Sequence, residues 1–186
     1  MNIEREKKYL IDEETAIQLK EKSLYVIGAI QWYMDDCTFF GKKSGCRIRH
    51  TFDKNGNEEW IIATKGDLKE DFTREEEESN ITASYEIYDL LYLKPVVAKL
   101  RYFLMYEPAE IVLDEFIQLD KPYNVPVKYL VEIETHEDFE TFEKLFNLNN
   151  PLSIEEFRKY INKNIAIVSQ LRTQEIIETV KKELMK

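Results

Sequence analysis

Apolar and charged residues alternate along much of this chain, and alternation is what a β-strand with two unlike faces requires. The stretch Ile3–Leu10 reads Ile-Glu-Arg-Glu-Lys-Lys-Tyr-Leu, with Glu4, Glu6 and Lys8 on every second position. Val131 and Ile133 alternate with Glu132 and Glu134, and Leu100 and Tyr102 alternate with Lys99 and Arg101. Arg47 and Arg49 repeat the spacing, as do Arg74, Glu76 and Glu78. The pattern predicts strands over 2–11, 25–34, 36–40, 46–52, 58–65, 72–80, 96–106, 109–117 and 127–136. A turn from Gly41 to Gly45 and the Asn55-Gly56 pair mark hairpins, the second a strong signal.

Helical spacing replaces alternation in four places. Residues 12–23 form an amphipathic turn that Asp12 can cap. Residues 82–93 carry Ala83, Ile87, Leu90 and Leu91 at helical intervals, and Pro95 ends the element. Residues 137–147 put Phe139, Phe142, Leu145 and Phe146 on one face, and the tail from 153 onward is mostly helical. Strands outnumber helices and their connections are short, so pairing is antiparallel. Strands with one charged and one apolar stripe are expected to close into a barrel, apolar side against helices and charged side inward. The fold class is therefore α+β: a closed antiparallel β-barrel of about eight strands around a charged tunnel, with helices packed outside. No repeat or linker divides the chain, so 1–186 is expected to be one domain, 1–162 barrel and helices and 163–186 a helical tail. The apolar face of the tail suits lying over the barrel or pairing with a second copy.

Composition narrows the function. The 186 residues include 26 Lys and Arg against 36 Asp and Glu, a net charge of -10, which argues against a general nucleic-acid binder. No apolar stretch is long enough to span a bilayer, and the chain opens on charge rather than on an apolar leader. Cys37 and Cys46 lack metal-site spacing and are read as free thiols, with a redox role left open, consistent with a cytoplasmic protein.

A shared cavity would hold Glu4, Glu6, Glu132, Glu134, Asp114, Glu76 and Glu78 beside Lys8, Arg47, Arg49, Lys65, Arg74, Lys99 and Arg101. Enclosing so much charge merely to pair it is unfavourable, because losing one partner of a buried pair costs roughly 3–5 kcal/mol while apolar replacement is often neutral. A small ligand that brings its own charge explains it better. Arginines chelate phosphate oxygens, and carboxylates are the hard donors that Mg²⁺ or Mn²⁺ prefers. A polyphosphate with a divalent cation fits both halves.

The same residues resemble a known family. Glu4-Arg5-Glu6-Lys7-Lys8 is similar to the Glu-x-Glu-x-Lys signature of the CYTH superfamily, the triphosphate tunnel metalloenzymes. Gln31-Trp32-Tyr33, Arg47-Ile48-Arg49, Thr64-Lys65-Gly66, Arg74 to Glu78, Lys99-Leu100-Arg101-Tyr102, Asp114-Glu115-Phe116, Glu132-Ile133-Glu134 and Tyr160-Ile161-Asn162 follow in the family's order. Each piece is weak alone; the ordered set is specific. Pro122 and Pro126 stand where the family usually has a Gly-Leu turn. The resemblance implies metal-assisted hydrolysis of a triphosphate-bearing small molecule, most directly inorganic triphosphate. Class IV adenylate cyclase and thiamine triphosphatase chemistry are the alternatives on the same tunnel, and a polyphosphate- or RNA-end-binding module is the non-enzymatic one. It implies that Glu4, Glu6, Glu132, Glu134, Asp114 and Glu78 hold metal. Lys8, Arg47, Arg49, Lys65, Arg74, Lys99 and Arg101 would grip phosphates, with Lys8, Glu4 and Glu6 catalytic. It also implies that residues from the tail plug one tunnel end.

Other residues carry plainer expectations. His50 is out of phase with Arg47 and Arg49, and His136 opens a helix, so both are expected at the surface or as caps. Trp32 either packs or stacks on a ligand at the tunnel mouth. Glu76 and Glu78 face inward, Glu75 and Glu77 outward.

Overall fold

The computed structural model describes residues 2–120 and 125–186; Pro122 lies outside them. In chain order the elements are β1 (Asn2–Leu10), α1 (Glu13–Glu21), β2 (Tyr25–Met34), β3 (Cys46–Phe52), β4 (Glu58–Lys65) and β5 (Thr73–Asn80). Then come α2 (Tyr85–Leu91), β6 (Pro95–Met105), β7 (Glu110–Phe116), β8 (Tyr129–Glu134) and α3 (Phe139–Phe146). The chain ends with α4 (Ile154–Lys159), α5 (Asn162–Ile165), a two-residue β9 (Ile167–Val168) and α6 (Thr173–Leu184). The strands run in the order β2-β3-β4-β5-β1-β8-β7-β6, all antiparallel, and β6 pairs back onto β2 to close an eight-stranded barrel. Closure leaves few free edges, and β9 adds only Ile167 and Val168 beside β6.

Local chemistry sets the boundaries. Asp12 accepts the Thr15 N–H and starts α1. Asp53 accepts from the Asn55 and Asn57 backbone, and Gly56 takes the left-handed backbone (φ +85°) that the β3–β4 turn demands. Ser153 and Glu156 cap α4 reciprocally. Gly28 has no side chain because the Phe52 ring of β3 lies where its Cβ would go.

Outward apolar stripes build the core against the helices. Trp32, Ile48, Trp60 and Ile62 meet Ile176, Ile177, Val180 and Leu184 of α6 and Ile87 and Leu91 of α2. On the far side Tyr9, Leu113, Val131 and Ile133 meet Leu19 of α1 and Phe139 and Phe142 of α3. Each such buried side chain contributes roughly 1.5–3 kcal/mol. A third cluster lies on inward-phase positions: Val97, Phe116 and Leu130 pack on Ile165 of α5 and close the barrel interior there.

Several expectations are corrected. Residues 36–40 do not extend: Asp36 accepts both the backbone N–H and the hydroxyl of Thr38, which turns Thr38–Phe40 into a 3₁₀ turn ended by left-handed Gly41. Cys37 and Cys46 are not free thiols but a disulfide tying that turn to the start of β3, so the expectation of a reducing compartment loses its support. His50 is not at the surface. It is buried on the outer face, stacked on Trp60 at 4.0 Å, because its phase opposes the arginines. Trp32 shares that outward phase and is fully buried beside Trp60, so it packs and does not face a ligand. His136 is exposed, ahead of α3. Of the tail, Ile165 and Ala166 help close the barrel end; α6 lies along β2 and β6 outside, where its apolar face is spent. No helix among the described residues is long and apolar enough to cross a membrane.

Candidate functional site

The inward stripes line a cavity of about 670 Å³. Its acidic wall residues are Glu4, Glu6, Asp67, Glu76, Glu78, Glu110, Glu132 and Glu134; its basic ones are Lys8, Arg47, Arg49, Lys65, Arg74, Arg101 and Lys163. Antiparallel register places unlike charges across from one another: Glu4 faces Arg74, Lys8 faces Glu132 and Arg101 faces Asp114.

Register also decides which charges are already engaged. Lys8 Nζ donates to Glu132 Oε1 at 2.6 Å and lies 3.9 Å from Glu6. Arg101 bridges Asp114 and Glu132, with contacts of 2.8 Å to each Asp114 oxygen and 3.0 Å to Glu132. Arg74 donates to Glu4 and, at 2.6 Å, to Glu6, and Lys65 reaches Glu4 at 2.6 Å and Glu76 at 3.2 Å. Arg47 pairs with Glu76 and Glu78, and Arg49 with Glu78. The Nε atoms of Arg47 and Arg49 are buried without a protein partner. An orphaned buried guanidinium donor on a cavity wall points to an acceptor supplied from outside.

The acids expected to hold metal separate into two groups. Glu4, Glu6 and Glu134 each offer one carboxylate oxygen, all within 4.8 Å of one another. Asp114 does not join them: it is fully buried and both its oxygens are taken, by Lys99 at 2.5 Å and by Arg101. Glu132 is committed to Lys8 and Arg101, and Glu78 to Arg47 and Arg49. Lys99 is likewise withdrawn from the cavity wall into its pair with Asp114, so it is not placed to grip a phosphate.

The electrostatics follow that division. Burial opposes the charge on Glu132, yet Lys8, Arg101 and Lys99 hold its pKa well below the usual carboxylate range. Glu134 has no cation in ion-pair range among the described residues; burial, then the charges of Glu4, Glu6 and Glu110, push its pKa up to about 8. Burial and the neighbouring Arg101 lower that of Lys99 to about 8. The residues present therefore fit a divalent cation: three converging oxygens from acids whose mutual repulsion a cation would relieve.

Sequence reasoning missed Glu110 and Lys163. Glu110 sits opposite Glu134 in the β7–β8 ladder, and burial raises its pKa. Its signal was the period-two step from Asp114 through Val112, hidden because Val112 is apolar. Lys163 had no such signal, since it reaches the wall from α5 rather than from a strand.

An eight-stranded antiparallel barrel lined by opposed charges fits the CYTH tunnel fold. No protein-family model matches the sequence, and no curated protein matches it significantly. Solved structures share its shape. The PH1819 protein from Pyrococcus horikoshii OT3 is 24% identical, with a TM-score of 0.52 over 83% of this chain and 97% of that one. A candidate adenylate cyclase from Bacillus halodurans is 15% identical, with a TM-score of 0.51 over 87% and 100% of the two chains.

Proposed function

We propose that this chain is a divalent-metal-dependent hydrolase of the CYTH type, acting on inorganic triphosphate and releasing its terminal phosphate. The observation that carries the reading is the meeting of Glu4, Glu6 and Glu134 on the wall of a cavity that is also lined by seven cations. A cation bound by those three carboxylates would neutralise phosphate charge and acidify a bound water. Lys8, deep and held by Glu132, presents fixed positive charge beside Glu6. Arg47, Arg49, Arg74, Lys65 and Arg101 form the phosphate cradle, and the Nε atoms of the first two are donors without a partner among the described residues. The work of these residues is positioning and charge stabilisation, as in other phosphoryl transfers.

The Bacillus halodurans neighbour makes cyclisation of ATP the second reading. The lining disfavours it. Tyr33 is the one aromatic side chain on the cavity wall among the described residues, and its hydroxyl is tied to Gln31 Oε1 at 3.2 Å. A purine or thiazolium ring has little to stack on.

The test is incubation of purified protein with Mg²⁺ or Mn²⁺ and, separately, inorganic triphosphate, ATP and thiamine triphosphate. Phosphate released fastest from the first, and abolished by Glu4→Gln in a variant with an unchanged circular dichroism spectrum, is the expected result. Cyclic AMP from ATP as the main product would move the chain to the cyclase class, and full activity of Glu4→Gln under saturating metal would overturn the assignment.

A further inference from the structure

Six of the seven cations on the cavity wall are ion-paired: Lys8, Arg47, Arg49, Lys65, Arg74 and Arg101 each lie within 4.0 Å of a carboxylate. Lys163 has no such partner among the described residues. Its backbone is nonetheless fixed. On one side, Asn162 Nδ2 donates to Gln31 Oε1 on β2 at 2.7 Å; on the other, Ile165 is buried against Val97 and Leu130. The side chain between these anchors is exposed, whereas Glu4 and Glu6 are 2% and 4% exposed. A free cation thus stands at the rim, rigidly based, over a charged interior.

We propose that Lys163 is a specificity residue: it holds the outer end of the ligand and selects ligands that end there in a free, more highly charged phosphate. The proposal rests on the reading of the cavity as a triphosphate site and deepens it. Inorganic triphosphate carries charge at both ends, so with one terminal phosphate deep the other meets Lys163. A nucleoside triphosphate entering phosphate-first places its α-phosphate there, an esterified group with one charge where inorganic triphosphate has a free terminal phosphate with about two, and its neutral sugar lies beyond. Asp67, the other exposed charge on this wall without an ion-pair partner among the described residues, repels anions, so attraction at the rim falls to Lys163.

Initial rates with Mg²⁺ for the full chain and for Lys163→Ala and Lys163→Arg, on inorganic triphosphate and on ATP, test this. Lys163→Ala is expected to raise KM for inorganic triphosphate about fivefold, as one exposed charge contact supplies. Its kcat should change little, KM for ATP should stay within about twofold, and Lys163→Arg should restore most of the loss. An equal change on both substrates, or none on triphosphate, overturns the proposal. Should the native chain hydrolyse neither compound, the functional reading falls, and calorimetric titration with the same two compounds decides the role of Lys163. Selective weakening of triphosphate binding supports the proposal. Equal weakening, no weakening, or no binding by the native chain overturns it.

Discussion

Asp114→Asn separates an acid that holds the fold from one that holds a ligand. Asp114 is fully buried on β7 and accepts from Lys99 at 2.5 Å and from Arg101 twice at 2.8 Å. Lys99 is also fully buried and has no other carboxylate within 4.0 Å among the described residues, so the amide would leave its ammonium uncompensated, the proton kept at that cost or given up. Arg101 would keep only Glu132. Breaking a buried pair from one side costs about 3–5 kcal/mol, a large part of the 5–15 kcal/mol typical of a folded domain. With a urea dependence of about 2 kcal/mol/M, the unfolding midpoint should fall by about 2 M. Mn²⁺ affinity of the protein that remains folded should not change, because both Asp114 oxygens are already occupied. Glu134→Gln should behave oppositely: it removes a carboxyl whose ionisation burial and the charges of Glu4 and Glu6 oppose, so the midpoint should hold or rise while Mn²⁺ affinity drops at least about tenfold. Urea unfolding in EDTA and calorimetric Mn²⁺ titration read the two effects separately. A midpoint shift under about 0.5 M for Asp114→Asn together with lost Mn²⁺ binding would refute the reasoning and return Asp114 to the metal site.

Two further outcomes follow from groups that take no part in the proposed site. Burial between Phe52 and Trp60 lowers the pKa of His50 against the opposing pull of the Glu59 carbonyl and Glu58. The unfolded chain then binds a proton that the folded chain resists, so stability is full above about pH 6.5 and is lost as pH falls below it; melting temperatures between pH 5 and 8 should slope in that window and flatten in His50→Phe. Reducing Cys37–Cys46, which closes a loop with a sequence separation of 9, should cost about 2.7 kcal/mol by loop entropy. Urea unfolding with and without reductant measures that cost, and two titratable thiols in the unreduced, denatured protein would contradict the bond.

The barrel was legible because a strand with one wet and one dry face writes its period into the sequence. Glu4-Glu6-Lys8, Lys99-Arg101 and Glu132-Glu134 all face the interior as alternation demands, and Asn55-Gly56 fixed one hairpin. What alternation could not encode is register, which is a property of two strands at once. It decides that Asp114 meets Arg101 while Glu6 meets Glu134, and so which acids face only cations and which also converge on one another. Residues 36–40 misled for a local reason: Thr38-Phe39-Phe40 has strand-like composition, but the Asp36 side chain supplies a competing hydrogen bond that bends the backbone. The disulfide was invisible for the complementary reason, since that bend is what brings Cys37 back to Cys46.

Arg74 illustrates why a cavity so fully paired is still suited to an anion. Its guanidinium donates to Glu4 and Glu6, two of the three acids that converge with Glu134. Burial works against its charge, but those two carboxylates raise its pKa above the usual arginine value. A divalent cation on the triad would draw the same oxygens toward itself and loosen their hold on Arg74 and Lys65. Those donors would then turn to phosphate at little reorganisation cost, because the barrel already fixes their backbones. Linkage makes the effect mutual: whatever the cation gains for phosphate binding, phosphate returns to cation binding. On the proposed function, the internal ion pairs would therefore keep both sets of candidate ligating groups in place and desolvated before either ligand arrives, and would hold each back until its partner is present.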